Sequence, residues 1–252
     1  PAFEAAMAEH LAEIERITTN PEPPTFENTI EAFERAGRTL SRVASVYNVW
    51  GTTMNSPEFQ TVQRELAPRL AAHNDRVTQN EALFRRIEAV YEAMSDVSKA
   101  AGEAPEDARG PNAAQVAATG DALTAEQQRL TWRYYTDFVR AGAKLDAAAK
   151  ARLSEINQRL AGLFTRFSQN VLADETNHYL VLESEADLAG LPDALRDAAA
   201  AAAREKGLDG KWVITNTRSS MDPFLTYADR RDLRERAWRI WVNRGDNGDE
   251  HD

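Results

Sequence analysis

Residues 26–50 read FENTIEAFERAGRTLSRVASVYNVW, and they decide the fold class. Phe26, Ile30, Phe33, Gly37, Leu40, Ala44 and Tyr47 recur at steps of four and three without a break. That spacing is one face of a helix from about Phe26 to about Trp50, packed along its length against another helix. Gly37 and Ala44 are small enough to let that neighbour approach closely. Upstream, Phe3, Met7, Leu11, Ile14 and Ile17 form a similar stripe, which Asn20-Pro21 ends. Downstream, Ser56-Pro57 is an N-cap followed by proline at the first helical position. The helix it opens should bury Phe59, Val62, Leu66 and Leu70 and kink at Pro68. Asn80 caps a fourth helix carrying Phe84, Ile87, Val90, Tyr91 and Met94. Short loops join these four elements, so they read as two antiparallel helix pairs.

From Ser95 to Ala122 the pattern fails. Gly102, Pro105, Gly110, Pro111 and Gly120 sit among alanines and acidic residues, so 95–122 reads as a flexible connector between subdomains 1–94 and 123–252. Thr124-Ala-Glu-Gln127 is a capping box. The helix it opens uses Leu130, Tyr134, Phe138, Ala141 and Leu145. Asp146 caps the next, whose stripe is Leu153, Ile156, Leu160, Leu163, Phe167 and Val171. Short β-branched or aromatic runs at 178–183 and 211–215 read as strands. An Ala-rich helix from Pro192 to Gly207 lies between them. A last helix, about Asp229 to Asn243, buries Leu233, Ala237, Ile240 and Trp241. The fold class is therefore mostly α: antiparallel helix pairs with a few short strands near the C-terminal end.

Composition narrows the chemistry. The 252 residues carry 30 Lys+Arg against 40 Asp+Glu, a net charge of −10, and no Cys. The missing cysteines exclude disulfides, thiolate metal sites and thiol catalysis. The acid excess argues against nucleic acid as a partner, and no apolar run is long enough to span a membrane. The chain begins at Pro1 without an initiator Met and stops in a polar run, which suggests a piece cut from a longer chain.

Motifs for chemistry are missing as well. None of His10, His73, His178 and His251 lies in a His-Glu-x-x-His pattern. Glu175-Thr-Asn-His178 has the Glu-x-x-His spacing of di-iron bundles, but those need two such motifs and an ordinary surface pair is expected. Asp246-Asn-Gly-Asp249 has the flavour of a calcium loop without its alternating ligands, and reads as a solvated turn. Arg244-Gly-Asp246 is an adhesion-type tripeptide expected by chance. Arg230, Arg231, Arg234, Arg236, Arg239 and Arg244 could grip a carboxylate or phosphate. The simpler reading pairs them with Asp229, Asp232 and Glu235 on a solvated helix, each pair contributing a few tenths of a kcal/mol. Trp50, Trp132, Trp212, Trp238 and Trp241 read as core or interface residues. No catalytic, cofactor-binding or metal-ligating residue is assigned.

Five segments, in order, carry a resemblance. They are Pro24-Thr-Phe-Glu-Asn-Thr-Ile30, Glu65-Leu-Ala-Pro-Arg-Leu-Ala-Ala-His73, Asp137-Phe-Val-Arg-Ala-Gly-Ala-Lys-Leu145, Lys211-Trp-Val-Ile-Thr-Asn216, and Phe224-Leu-Thr-Tyr-Ala-Asp-Arg-Arg-Asp-Leu-Arg234 running on to Asn243-Arg-Gly-Asp-Asn-Gly248. Together they resemble the amino-terminal part of the thimet oligopeptidase-like zinc metallopeptidases, in particular the bacterial peptidyl-dipeptidases. The 95–122 connector departs from that family's pattern. The resemblance implies a helical half-shell lining a substrate channel, in a parent enzyme that releases dipeptides from the carboxyl ends of oligopeptides. It also implies that zinc sits on the later, catalytic half of the same parent and that this chain alone binds none and is inactive. The implied partners are that catalytic half and the oligopeptide substrate; the implied setting is a bacterial cytoplasm or periplasm. A standalone helical module that binds peptides or proteins, derived from the same scaffold, is the alternative.

Overall fold

The computed structural model describes residues 1–100 and 123–249, with 95–100 described as backbone only. It is mostly helical, and it divides into two compact units, Pro1–Gly162 and Leu163–Asp252. The expected connector at 95–122 lies outside the described residues, except that 95–100 continue the helix before it.

In the first unit α1 spans Ala2–Thr18 and buries Ala6, Ile14 and Ile17. The chain then turns through Asn20–Pro24 into a π-helical segment, Phe26–Glu31, opened by a reciprocal cap. Asn28 N–H donates to Thr25 Oγ1 at 3.2 Å, and Thr25 N–H donates to Asn28 Oδ1 at 2.9 Å. Buried Arg86 ties this turn down, donating to the carbonyls of Asn20 and Glu22 and to Asn28 Oδ1.

The single helix expected over Phe26–Trp50 is broken. The π segment gives way to one turn, α2 (Ala32–Arg35), and then α3 (Arg38–Thr53) starts afresh. The break is Gly37, at φ +72°. Its N–H donates to Glu13 Oε2 of α1 at 2.6 Å, and the His10 ring lies 3.2 Å from where a Cβ would stand. The close approach read from the sequence is present, but it redirects the chain where an unbroken helix was expected. No residue of α3 is fully buried.

Helix α4 spans Pro57–Thr78, with Ser56 Oγ accepting the Phe59 N–H at 3.2 Å, and it runs through Pro68 without a break. Leu66 is buried as expected; Val62 is exposed. Helix α5 spans Glu81–Ala100 and is capped by Asn80, whose Oδ1 accepts the Leu83 N–H at 2.9 Å. The 124–127 capping box forms and opens α6 (Ala125–Arg140). The core joins Ile14, Ile17, Phe26, Ile30, Val77, Leu83, Phe84, Ile87, Val90 and Phe138. Each such side chain contributes roughly 1.5–3 kcal/mol by leaving water.

Helix α7, Ala147–Asn177, is capped by Asp146, whose Oδ1 accepts the Ala149 N–H. The boundary between the units falls within it.

The second unit has its own core. Strands β1 (Leu180–Leu182) and β2 (Trp212–Ile214) pair antiparallel, with Leu180 opposite Ile214 and Leu182 opposite Trp212. Helix α8 (Asp193–Glu205), α9 (Arg218–Tyr227) and α10 (Arg231–Val242) complete the unit. Met221 and Phe224 of α9 are fully buried with Leu180, Leu182, Ile214, Leu233 and Ala237. Helix α9 was not expected from sequence, because Pro223 interrupts its pattern.

Candidate functional site

Two features of this fold bear on function: the two sides of α7, and the place where its last turn meets the segment following α10.

The apolar stripe of α7 faces outward. Ile156 is 39% exposed, Leu160 41%, Leu163 48% and Phe167 60%, and Phe164 beside them is 66% exposed. An apolar stripe ordinarily faces a core; most of this one does not. The start of the same helix is held by polar contacts. Asp75 of α4, only 5% exposed, accepts the Ser154 hydroxyl at 2.8 Å and Asn157 Nδ2 at 2.7 Å. Lys150 of α7, also buried, reaches Glu81 at 3.3 Å. A buried carboxylate must be hydrogen-bonded, and Ser154 and Asn157 meet that need at the start of α7. A second set of exposed apolar side chains, Val46, Val49 and Trp50, lies on α3, with Met54 just past its end.

Where α7 ends, Asp174 is completely buried. Its Oδ2 accepts the Gly245 N–H at 2.6 Å and Asn247 Nδ2 at 2.8 Å, while its Oδ1 has no hydrogen-bond partner. His178, one turn on, places Nε2 3.7 Å from that Oδ1 and 3.2 Å from Asp249 Oδ2. These three residues form the one group of metal-type ligands among the described residues, with donor atoms within 4.8 Å of one another. Glu175, which the sequence pairs with His178, turns away instead to Arg244 at 2.6 Å, and the Arg244 guanidinium lies 3.8 Å over the Trp241 ring. The signal that sequence reasoning passed over is the Asp174–His178 spacing of four, which puts both on one helical face. The 246–249 turn, read as solvated, is folded back onto Asp174.

The remaining candidates are structural. Arg230 pairs with Asp232 and Asp187, Arg239 with Glu235, and Arg234 donates to the Ala228 and Asp229 carbonyls. The paired carboxylates hold Arg230 above, and Asp232 below, their ordinary pKa ranges; the Arg230 hydrogen bond brings Asp232 down to about 2. Trp50 and Trp238 are exposed at 49% and 52%, so they are not core residues. In the first unit His10 Nδ1 lies 3.0 Å from His73 Nε2, and burial lowers the pKa of both rings. A surface depression of about 340 Å³ is lined by Glu13, Arg16, Asn20, Asn28 and Arg35 and concentrates no single charge. No helix of the described residues is long and apolar enough to cross a membrane.

A mostly helical chain of these five segments, with no His-Glu-x-x-His motif, corresponds to one class of known protein. No family model matches it, but curated relatives align with its whole length. It is similar to dipeptidyl carboxypeptidase of Escherichia coli (strain K12), 32% identical over 252 residues, covering all of this chain and 34% of that protein. The Salmonella typhimurium dipeptidyl carboxypeptidase gives the same identity and coverage. Oligopeptidase A of E. coli is 28% identical over 244 residues, covering 97% of this chain and 32% of that protein. The chain is a homologue of these peptidases, as the resemblance implied, and it spans about a third of their length.

Proposed function

We propose that this chain is the amino-terminal, non-catalytic part of a zinc-dependent peptidyl-dipeptidase. In this reading it forms a wall of the channel through which oligopeptides reach the metal. The observation that carries the proposal is the outward apolar face of α7, Ile156, Leu160, Leu163, Phe164 and Phe167, in a chain a third as long as the peptidases it aligns with. An apolar face of that extent marks a surface made to be covered, and the rest of the parent is the cover proposed.

The division of labour follows from the residues. No His-Glu-x-x-His occurs in the 252 residues, so the peptidase zinc of the resemblance has no such cradle here. That ion, on the remainder of the parent, would polarise the scissile carbonyl and lower the pKa of a bound water. What this chain supplies is shape. Its helices pack on two separate apolar cores, and a channel wall selects extended peptides over folded proteins by width alone.

The test compares the full-length gene product with the 252-residue chain on a short peptide, with and without chelator. Chelator-sensitive release of C-terminal dipeptides by the full-length protein, and none by this chain, is the expected result. Dipeptide release by the chain alone overturns the proposal, as does a full-length product without peptidase activity. A monodisperse chain that binds peptides in the absence of metal would point to the standalone module instead.

A further inference from the structure

We infer that Asp174, His178 and Asp249 form a binding site for a divalent transition-metal ion of the zinc class. The inference does not depend on the peptidase reading. It starts from an unbalanced set of charges. Nε2 of His178 faces two carboxylate oxygens, Asp249 Oδ2 at 3.2 Å and Asp174 Oδ1 at 3.7 Å. One imidazole N–H can serve one of them. Asp174 Oδ1 is the one left over: it is buried, belongs to a fully buried side chain, and accepts no hydrogen bond. An unmet acceptor of this kind costs roughly 1–3 kcal/mol, and more when it carries charge.

A cation at the point where the three donors converge satisfies all of them at once. Bonds of about 2.0–2.2 Å from zinc to imidazole nitrogen and carboxylate oxygen set neighbouring donors about 3.0–3.5 Å apart at tetrahedral or octahedral angles. Of the two separations from Nε2, 3.2 Å lies inside that range and 3.7 Å just above it. The second requirement of a metal site is a set of groups that orient its ligands. Asp174 has them, because the Gly245 N–H and Asn247 Nδ2 both grip Oδ2 and turn Oδ1 toward the imidazole. His178 is placed by its backbone N–H, which donates to the Asp174 carbonyl at 2.9 Å. His178 and Asp249 are partly open to solvent, so the ion has a way in and water can complete its shell.

The donor set selects the metal. One imidazole with two carboxylates suits Zn²⁺, Co²⁺ or Mn²⁺, whereas Ca²⁺ and Mg²⁺ take oxygen ligands. The ion would join the last turn of α7 to the turn that follows α10, both within the second unit.

The experiment titrates the metal-free 252-residue chain with Zn²⁺ by calorimetry, and with Co²⁺ by visible absorption, with Ca²⁺ as control and circular dichroism recorded for every variant. We expect one ion per chain, a d–d band from bound Co²⁺, and Ca²⁺ at least about tenfold weaker. His178→Ala should weaken Zn²⁺ by about 100-fold. Asp249→Asn, at an exposed position, should weaken it about tenfold while helicity is unchanged. Absence of stoichiometric Zn²⁺ binding overturns the inference, and so does equal affinity for Ca²⁺. So does Zn²⁺ affinity left unchanged by either substitution, including binding lost only in His73→Ala, which would place the ion on the other imidazole pair.

Discussion

Replacing Asp75 with alanine tests the account of why α7 lies as it does. Asp75 is 5% exposed and its two oxygens are each taken, one by the Ser154 hydroxyl at 2.8 Å and the other by Asn157 Nδ2 at 2.7 Å. Hydrogen bonds to a charged group contribute roughly 1.5–3 kcal/mol each. Ser154 and Asn157 are only half-buried, so water recovers part of the loss, and the lower end of that range applies to both. Asp75→Ala should therefore destabilise the first unit by about 3 kcal/mol. At about 2–4 °C per kcal/mol for a unit of this size, the melting midpoint falls by roughly 6–12 °C. Gln158 Nε2 already donates to Ser154 Oγ at 3.2 Å, which leaves the serine proton to Asp75. Removing that hydroxyl in Asp75→Ala should then cost little more. A double-mutant cycle of Asp75→Ala with Ser154→Ala should accordingly give a coupling of roughly 1.5 kcal/mol. The assay is chemical and thermal unfolding followed by circular dichroism. A loss below about 0.5 kcal/mol for Asp75→Ala, the scale of an ordinary surface change, or strict additivity in the cycle, would refute the claim that a buried carboxylate anchors the start of this helix.

Three further outcomes follow from the same coordinates. Changing Phe164 and Phe167 together to serine should shift the stability of this chain by no more than about 0.5 kcal/mol per site, since both rings are mostly in water; yet it should abolish co-purification with the rest of the parent expressed as a separate chain. Gly190→Ala should destabilise the second unit by about 3 kcal/mol or more in urea unfolding. Gly190 sits at φ +84°, and an added Cβ would stand 2.2 Å from the Tyr227 carbonyl oxygen, part of a backbone closed by the Asp229 N–H to Ala189 bond. The His10–His73 pair makes stability depend on pH. Burial depresses both rings, His73 further through the positive charges of His10 and Arg76, while Glu13 opposes the shift at His10. With folded pKa values below the unfolded value of about 6.5, the unfolded chain takes up protons first as pH falls. Their contribution is complete above that pH and is lost below it. The melting midpoint of His73→Gln should fall less than that of the wild-type chain between about pH 7.5 and about pH 5.5; an identical fall in both would reject the assignment.

How much of this was legible in the sequence depends on how local the governing chemistry is. The caps at Ser56, Asn80, Thr124 and Asp146 were readable because a cap is settled within three residues. The paired strands were readable because β-branched and aromatic runs have few other uses. The break at Gly37 was not. A glycine in a helical stripe looks like a helical glycine until His10 and Glu13, more than twenty residues away, are placed against it. Helix α9 was hidden by Pro223, which argues against a helix locally but is overruled by the burial of Met221 and Phe224 on either side. The candidate metal site was half visible. His178 was noticed through the wrong carboxylate, and Asp249 needed the chain to return over seventy residues of sequence.

The exposure of the α7 stripe was hidden for a different reason, and it is the one that bears on function. Periodicity reports that a helix has an apolar side; it does not report what that side faces. The usual inference, that the apolar side faces the core, holds when the neighbour is apolar. Here exposure changes along the helix rather than around it. Lys150, Asn157 and Phe164 stand seven residues apart and so share one face; the first two meet Glu81 and Asp75, and the third is 66% exposed. Ser154 and Asn157 anchor the start of α7 on Asp75. Beyond them Leu160, Leu163, Phe164 and Phe167 form a surface for which this chain supplies no cover among the described residues. If the anchor fixes only the start of α7, Asp75→Ala leaves Phe164 and Phe167 exposed, and a dye bound to apolar surface keeps its signal. A signal lost in Asp75→Ala would show that the same contact governs the exposed stretch as well.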